Sequence, residues 1–189
     1  MDIIHDYYAM TDEEIAGLVQ QGDTETFGIL VERYGDKLTR YARKFLANRE
    51  DIEDLVQEVF MKAYTNIQSF TTSRKFSPWL YRIAHNEFIN AIKKKRWEPL
   101  PFFDPDTLFP HPLSQDVADR GLMKREVKEL VEQHLNKLDA KYREPLVLYY
   151  LEGLDYTEIS EVLQLPVSTV GVRLKRGKEM MKKYITETL

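Results

Sequence analysis

Residues 155–178 read DYTEISEVLQLPVSTVGVRLKRGK and predict two short helices joined by a tight turn. Asp155 can accept hydrogen bonds from the free amides of the first turn, and Glu158 three residues later completes a capping box. The first helix ends before Pro166, because proline lacks an amide hydrogen and pushes the preceding residue out of the α region. Ser168 is the expected N-cap of the second helix.

In the second helix, Val170 and Leu174 are four residues apart and are predicted to face inward. The other faces are rich in cations, which suits the major groove of DNA. An ordinary helical hairpin with a solvated basic face is the alternative, and the spacing alone leaves it open. The residues expected on the outer faces are Ser168, Thr169, Gly171, Val172, Arg173, Lys175 and Arg176.

The composition is that of a globular protein, since 43% of the 189 residues are hydrophobic and 31% are charged. The chain contains no cysteine, which excludes disulfides, thiolate metal ligands and a thiol nucleophile. The N-terminus lacks the pattern of a secretory signal, and the longest apolar run, residues 146–151, is too short to cross a bilayer. We therefore expect a cytoplasmic protein without direct membrane insertion.

The net charge of −4 conceals a segregation of charge along the chain. Residues 1–30 contain seven acidic residues and no Lys or Arg, whereas residues 71–97 contain seven Lys or Arg and one acidic residue. Residues 166–189 contain six Lys or Arg and two acidic residues. Two separate basic segments favour two DNA-contacting surfaces, although a run such as residues 93–96 is by itself more often a solvated helix end.

Helical periodicity runs through most of the chain, and the alternation typical of strands does not occur. Residues 98–121 interrupt the periodicity with five of the eight prolines and four aspartates, as is typical of a linker. The sequence therefore predicts an all-α protein with two helical domains, residues 1–97 and residues 122–189. The helix-turn-helix lies in the second domain.

Two helix starts are predicted in the first domain. Thr11 precedes three acidic residues and is the expected N-cap of a helix. Ser77 and Pro78 are the expected N-cap and first residue of a helix that extends to residue 97.

The helix expected over residues 49–67 has a polar face, on which Asp54, Gln57, Glu58 and Met61 recur at intervals of three and four. A solvated acidic face and a contact surface both fit this pattern, and the methionine favours contact.

The helix that follows Ser77 combines Trp79, Tyr81, Arg82 and Asn86 on its outer side, which is typical of surfaces that bind single-stranded nucleic acid. Composition alone favours a core position for both aromatic residues.

Patterns typical of catalysis are missing. The sequence contains no G-x-S-x-G, no G-x-x-x-x-G-K and no H-E-x-x-H, and its four histidines lie in different segments. We expect no enzyme activity, no catalytic residue, no cofactor and no metal site.

Four motifs in order resemble the extracytoplasmic-function (ECF) sigma factors, which retain only sigma regions 2 and 4. The resemblance covers nearly the whole chain and implies a sigma factor that binds core RNA polymerase and directs promoter-specific initiation. A helix-turn-helix regulator that acts without polymerase is the alternative. The motifs are DTETFGILVERY (residues 23–34), DIEDLVQEVFMKAY (51–64), FSPWLYRIAHNEFIN (76–90) and residues 154–177.

The resemblance also implies roles for individual residues and names partners: the β′ clamp and β flap of core RNA polymerase, promoter DNA and an anti-sigma factor. The residues implied for core polymerase are Asp51, Asp54, Gln57 and Glu58. Those for the minus-ten element are Arg74, Lys75, Trp79, Arg82, Asn86, Lys93 and Lys94. Those for the minus-thirty-five element are Ser168, Thr169, Val172, Arg173, Lys175 and Arg176.

The chain departs from the family pattern at three positions. Gly171 and Val172 stand where the family usually has Lys or Arg followed by Ser or Thr, and Asn90 replaces a common aspartate. Glycine inside a helix costs about 1 kcal/mol relative to alanine. We therefore expect Gly171 to weaken the helix and to lose a phosphate contact. Gly171→Lys is predicted to stabilise the helix and to strengthen DNA binding.

Overall fold

The computed structural model describes residues 7–44, 46, 48–94 and 135–186, and all regular structure within them is helical, as the sequence predicts. The chain divides into two compact units, Met1–Lys94 and Lys95–Leu189. The predicted linker, residues 98–121, lies outside the described residues. The α-helices described are α1 (Asp12–Gln20), α2 (Phe27–Ala42), α3 (Arg49–Thr65), α4 (Phe76–Lys94), α5 (Ala140–Leu146), α6 (Tyr156–Leu163) and α7 (Val167–Thr186).

In the first unit, α1 to α4 pack around a core of aliphatic and aromatic side chains. The ring of Tyr41 lies at its centre, with its centroid 5.4 Å from those of Tyr81 and Phe88. The prediction that Tyr81 faces outward is therefore wrong, since it is 1% exposed. Two helical residues after Trp79 correspond to a rotation of about 200°, which turns Tyr81 into the core.

The start of α1 is confirmed and the start of α4 is not. Thr11 Oγ1 accepts a hydrogen bond from the Glu14 amide at 3.2 Å, and Glu14 Oε2 accepts one from the Thr11 amide at 2.8 Å. The bond from the Thr11 amide lowers the pKa of Glu14. Helix α4 begins at Phe76, so Ser77 lies within its first turn, and the Phe76 amide donates to Glu13 Oε1 at 2.8 Å. A carboxylate from another helix thus takes the place of the expected local cap.

The second unit contains α5, a π-helical stretch (Val147–Leu151), α6 and α7. The capping box of α6 is confirmed, because Asp155 Oδ1 accepts from the Glu158 amide at 2.9 Å and Glu158 Oε2 accepts from the Asp155 amide at 2.8 Å. Helix α7 begins at Val167, so the prediction of Ser168 as its N-cap is wrong.

The turn between α6 and α7 comprises residues 164–166. Gln164 adopts the left-handed conformation with φ 54°, which reverses the chain after α6. Ser160 Oγ donates to the Leu165 carbonyl at 2.6 Å and holds the turn against the helix. Val170 and Leu174 are buried, as predicted. This arrangement is the helix-turn-helix.

No helix among the described residues is long and apolar enough to cross a membrane.

Candidate nucleic-acid interface

A surface cavity of about 300 Å³ opens beside α3 and α4. It brings together Trp79, Arg82 and Asn86, three of the residues predicted to contact the minus-ten element. Their spacing of three and four residues places them on one face of α4. The other lining residues are Lys62, Asn66, Ser69, Ile83 and Glu87.

Trp79 forms the wall of the cavity that is continuous with the core. Its ring centroid lies 5.3 Å from that of Phe70 and 5.5 Å from that of Phe76, and the two phenylalanine rings lie 5.4 Å apart. Both phenylalanines are buried, whereas Trp79 is half-buried. The indole is therefore anchored by the core and still available to the cavity. It combines the core position that composition favours with the binding position predicted from the neighbouring cations.

Residues 71–75 form an exposed loop between Phe70 and Phe76. The loop contains Arg74 and Lys75, and its turn is closed by a hydrogen bond from the Arg74 amide to the Thr71 carbonyl at 2.9 Å. Since the phenylalanines at both ends pack on Trp79, the basic loop starts and ends beside the cavity. Lys93 and Lys94 belong to the last turn of α4, but their side chains lie outside the described part of the protein.

An ion pair crosses from α3 to α4 at the cavity. Lys62 Nζ lies 2.5 Å from Glu87 Oε2 and 3.3 Å from Glu58 Oε1. The hydrogen bond with Glu87 raises the pKa of Lys62, so its ammonium group is charged at neutral pH. Glu87 is only 9% exposed, and Lys62 supplies the positive charge next to its carboxylate.

The outer side of α3 carries a surface that we call the α3 acidic face, formed by Asp51, Asp54, Gln57, Glu58 and Met61. Asp54, Gln57 and Glu58 are exposed, Met61 is 68% exposed and Asp51 is half-buried. The face therefore offers carboxylates, an amide and one exposed thioether to the solvent.

Helix α7 buries one side and presents the other. Lys175 and Arg176 are exposed on the outer side. Arg173 is half-buried beside α5, and burial lowers its pKa, while Glu144 acts in the opposite direction. The remaining predicted minus-thirty-five residues, all half-buried, are Ser168, Thr169 and Val172.

The interpretation of Gly171 is wrong. Gly171 is buried, although it lies four residues before the exposed Lys175, so the expectation that this position is open to solvent is wrong. A lysine there would have to bury an ammonium group or distort the packing, which costs free energy. Gly171→Lys is therefore expected to destabilise the second unit.

The family follows from comparison with known proteins. The profile of Sigma-70 region 2 matches residues 30–98, and the profile of Sigma-70, region 4 matches residues 128–181. The ECF RNA polymerase sigma factor SigW of Bacillus subtilis (strain 168) is 39% identical over 177 residues, which cover 89% of this chain and 94% of SigW. The chain belongs to the ECF RNA polymerase sigma factors.

Two further relatives agree with this assignment. The ECF RNA polymerase sigma-E factor of Haemophilus influenzae is 33% identical over 185 residues, covering 93% of this sigma factor and 96% of the relative. The solved structure of CnrH in complex with the cytosolic domain of CnrY is 27% identical, with a TM-score of 0.67 and coverage of 93% and 97%. The family resemblance inferred from the four motifs is thereby confirmed.

In this sigma factor, the cavity, the basic loop and the α3 acidic face lie within the region 2 match, and the outer side of α7 lies within the region 4 match. Sequence reasoning missed several cavity residues. For Lys62, the spacing of four residues from Glu58 indicated an ion pair on α3. Lys62 and Glu87 are 25 residues apart on different helices, and periodicity does not indicate which face of α3 meets α4.

Proposed function

We propose that the cavity beside α3 and α4 receives an unstacked base of the minus-ten element. The observation that carries this proposal is the convergence of Trp79, Arg82 and Asn86 on one cavity next to a basic loop. An indole can stack on a base, an amide can hydrogen-bond to its edge and a guanidinium can meet a phosphate. Arg74, Lys75, Lys93 and Lys94 would then hold the neighbouring phosphates.

The α3 acidic face is the proposed docking surface for the β′ clamp of core RNA polymerase. Exposed Asp54, Gln57 and Glu58 precede the exposed Met61 on the same face, so the face offers charge for orientation and an apolar group for burial. Asp51 is half-buried at the N-terminal end of the same face.

The outer side of α7 is the proposed reader of the minus-thirty-five element. The second helix of a helix-turn-helix lies in the major groove with its N-terminal residues at the base edges. Ser168, Thr169 and Val172 occupy that end, whereas Lys175 and Arg176 lie one turn further on and suit phosphates. We assign residues 1–97 to polymerase binding and minus-ten opening, 98–121 to the linker and 122–189 to minus-thirty-five reading.

Further partners follow from the family. We propose that the second domain also contacts the β flap of polymerase and that this sigma factor binds a regulatory anti-sigma protein. The relative CnrH was solved with the cytosolic domain of CnrY, which supports the second part of this proposal. In this scheme the protein acts in the cytoplasm together with polymerase and catalyses no reaction itself, because polymerase forms the phosphodiester bond.

Reconstitution with core polymerase tests the proposal. Full-length protein and core polymerase are combined, and transcripts are selected from a promoter library randomised at the minus-ten and minus-thirty-five elements. We expect co-elution with core polymerase and enrichment of one pair of elements. A protein that binds DNA fragments but neither co-elutes with core polymerase nor supports transcription would instead be a helix-turn-helix regulator.

A further inference from the structure

One face of α1 contacts residues 67–76 along the length of that segment. Glu13, Gly17 and Gln20 lie on this face, because they are four and three residues apart. Glu13 Oε1 accepts from the Phe76 amide at 2.8 Å, and Gln20 Nε2 donates to the Phe70 carbonyl at 2.7 Å. A Cβ atom added at Gly17 would lie 3.6 Å from the methyl group of Thr72, so the loop passes directly over this position.

The amide group of Gln20 makes a double contact. Nε2 also donates to the Ile67 carbonyl at 2.7 Å. In addition, Gln68 Nε2 donates to the backbone carbonyl of Gln20 at 3.0 Å. Both partners of Gln20 Nε2 are carbonyl oxygens, so only the NH₂ group can satisfy them. The isosteric carboxylate of a glutamate would face two acceptors and make neither bond.

Two of the backbone groups that α1 holds flank the loop and belong to the two residues on which Trp79 packs. Phe70 precedes residues 71–75 and Phe76 follows them. Their rings lie 5.3 Å and 5.5 Å from the indole of Trp79, which lines the cavity. A continuous set of contacts therefore runs from α1 through the loop ends to the wall of the cavity.

We propose that Glu13 and Gln20 are positioning residues for promoter opening, which hold both ends of the basic loop so that the loop and Trp79 are in place before DNA arrives. This inference rests on the proposed function of the cavity as a minus-ten base site. A loop fixed at both ends loses less conformational entropy when it binds single-stranded DNA than a free loop does. Glu13 also places a negative charge at the N-terminus of α4, where the helix dipole favours it.

The test uses two isosteric changes with opposite expected results. Gln20→Glu keeps the size of the side chain and removes both donated bonds, whereas Glu13→Gln keeps an acceptor oxygen for the Phe76 amide. Glu13→Ala removes that acceptor. Gln21→Ala, an exposed neighbour, is the control. Each full-length variant is assembled with core polymerase on a promoter recovered from the randomised library.

Three quantities are measured: affinity for core polymerase, permanganate reactivity of the minus-ten strand and base preference at the minus-ten element. We expect Gln20→Glu and Glu13→Ala to lower opening by about tenfold, the equivalent of one or two lost hydrogen bonds, and to flatten the base preference. Affinity for core polymerase should change less than twofold. Glu13→Gln and Gln21→Ala should stay within twofold of the wild type in all three.

The inference is overturned if opening and base preference are unchanged in Gln20→Glu and Glu13→Ala. It is also overturned if core affinity falls in parallel with opening, since that result indicates a general loss of folding. Asn86→Ala separates this failure from failure of the proposed function. If Asn86→Ala impairs opening and the α1 variants do not, only the role of α1 is wrong; if Asn86→Ala has no effect, the cavity proposal fails and this inference fails with it.

Discussion

Lys62 Nζ lies 2.5 Å from Glu87 Oε2 and thereby joins α3 to α4 across the edge of the cavity. The same ammonium group lies 3.3 Å from Glu58 Oε1 on the α3 acidic face. One cation thus connects the surface proposed for polymerase with the cavity proposed for a base. Glu87 is 9% exposed, so its carboxylate depends on this partner more than a surface carboxylate would.

Lys62→Met is expected to destabilise the first unit, because it leaves a buried carboxylate without its cation. Lys62 is itself 42% exposed, so solvent screening limits the loss to about 1–3 kcal/mol. Arg49→Met is the matched control, since it breaks the exposed Arg49–Glu53 pair and should cost much less. Urea unfolding of both variants measures the difference, and equal losses would contradict the role of Lys62.

The same variant has a defined pH dependence. The bond with Glu87 raises the pKa of Lys62 in the folded protein, so the stabilisation is fully present below the unfolded pKa of about 10.4 and is lost as pH rises through the folded value. The gap in unfolding free energy between wild type and Lys62→Met should be constant from about pH 7 to 9 and should narrow above about pH 10.4. A gap that closes below pH 9 would contradict the ion pair.

Asp54→Lys should abolish binding to core polymerase while the protein stays folded. Asp54 is exposed in the middle of the α3 acidic face, so its replacement costs little in the folded state. Glu25→Lys changes the net charge equally at an exposed site outside this face and serves as the control. Co-elution with core polymerase and far-UV circular dichroism are the measurements. If the Asp54 variant still forms holoenzyme, the docking surface lies elsewhere.

Asn86→Ala and Trp79→Ala should differ in stability although both impair opening. Asn86 is exposed, so its truncation should leave the unfolding free energy unchanged. Trp79 packs on Phe70 and Phe76, and its loss should cost about 2–3 kcal/mol, less than for a fully buried tryptophan. Permanganate reactivity and thermal unfolding are measured in parallel. Normal promoter opening in Asn86→Ala would exclude a base contact by this residue.

Arg176→Ala should weaken binding to all DNA sequences alike. If exposed Arg176 meets one phosphate, the slope of log affinity against log salt should become shallower by about 0.9. Arg173→Ala should change the slope less, because Arg173 is half-buried beside α5. Titrations with promoter and unrelated duplexes at several salt concentrations provide the test. A loss confined to the promoter would assign Arg176 to base reading instead.

Gly177→Ala should destabilise the second unit although alanine favours helix. A Cβ atom at this position would lie 2.9 Å from Leu146 Cδ1 and 3.3 Å from Tyr142 Cβ, so α7 and α5 could not approach as closely. Overpacking of about 1–3 kcal/mol outweighs a gain of about 1 kcal/mol in helix propensity. Gly35→Ala has open space around it and should stabilise α2 by about 0.5–1 kcal/mol. Thermal unfolding compares them, and a stabilised Gly177 variant would contradict the close packing.

Local features of the fold could be predicted from the sequence. The N-cap at Thr11 and the capping box at Asp155 each join residues three apart, so the residue types alone indicate them. The exposed positions of Asp54, Gln57 and Glu58 follow in the same way from helical spacing. The error at Tyr81 arose because its place among cations suggested a binding surface, although composition favoured the core. The error at Gly171 arose from family analogy.

The sequence alone determined the features that depend on residues within a few helical turns. These are the all-α class, the helix-turn-helix, the α3 acidic face and the shared face of Trp79, Arg82 and Asn86. Only the tertiary structure decided that Glu13 caps α4 from 63 residues away, that Gln20 holds Phe70 from 50 residues away and that Lys62 meets Glu87. Helical periodicity states which side of a helix is buried but not which helix covers it. The packing of the whole core determines which residues meet across an interface between helices. It therefore also determines which residues line the cavity.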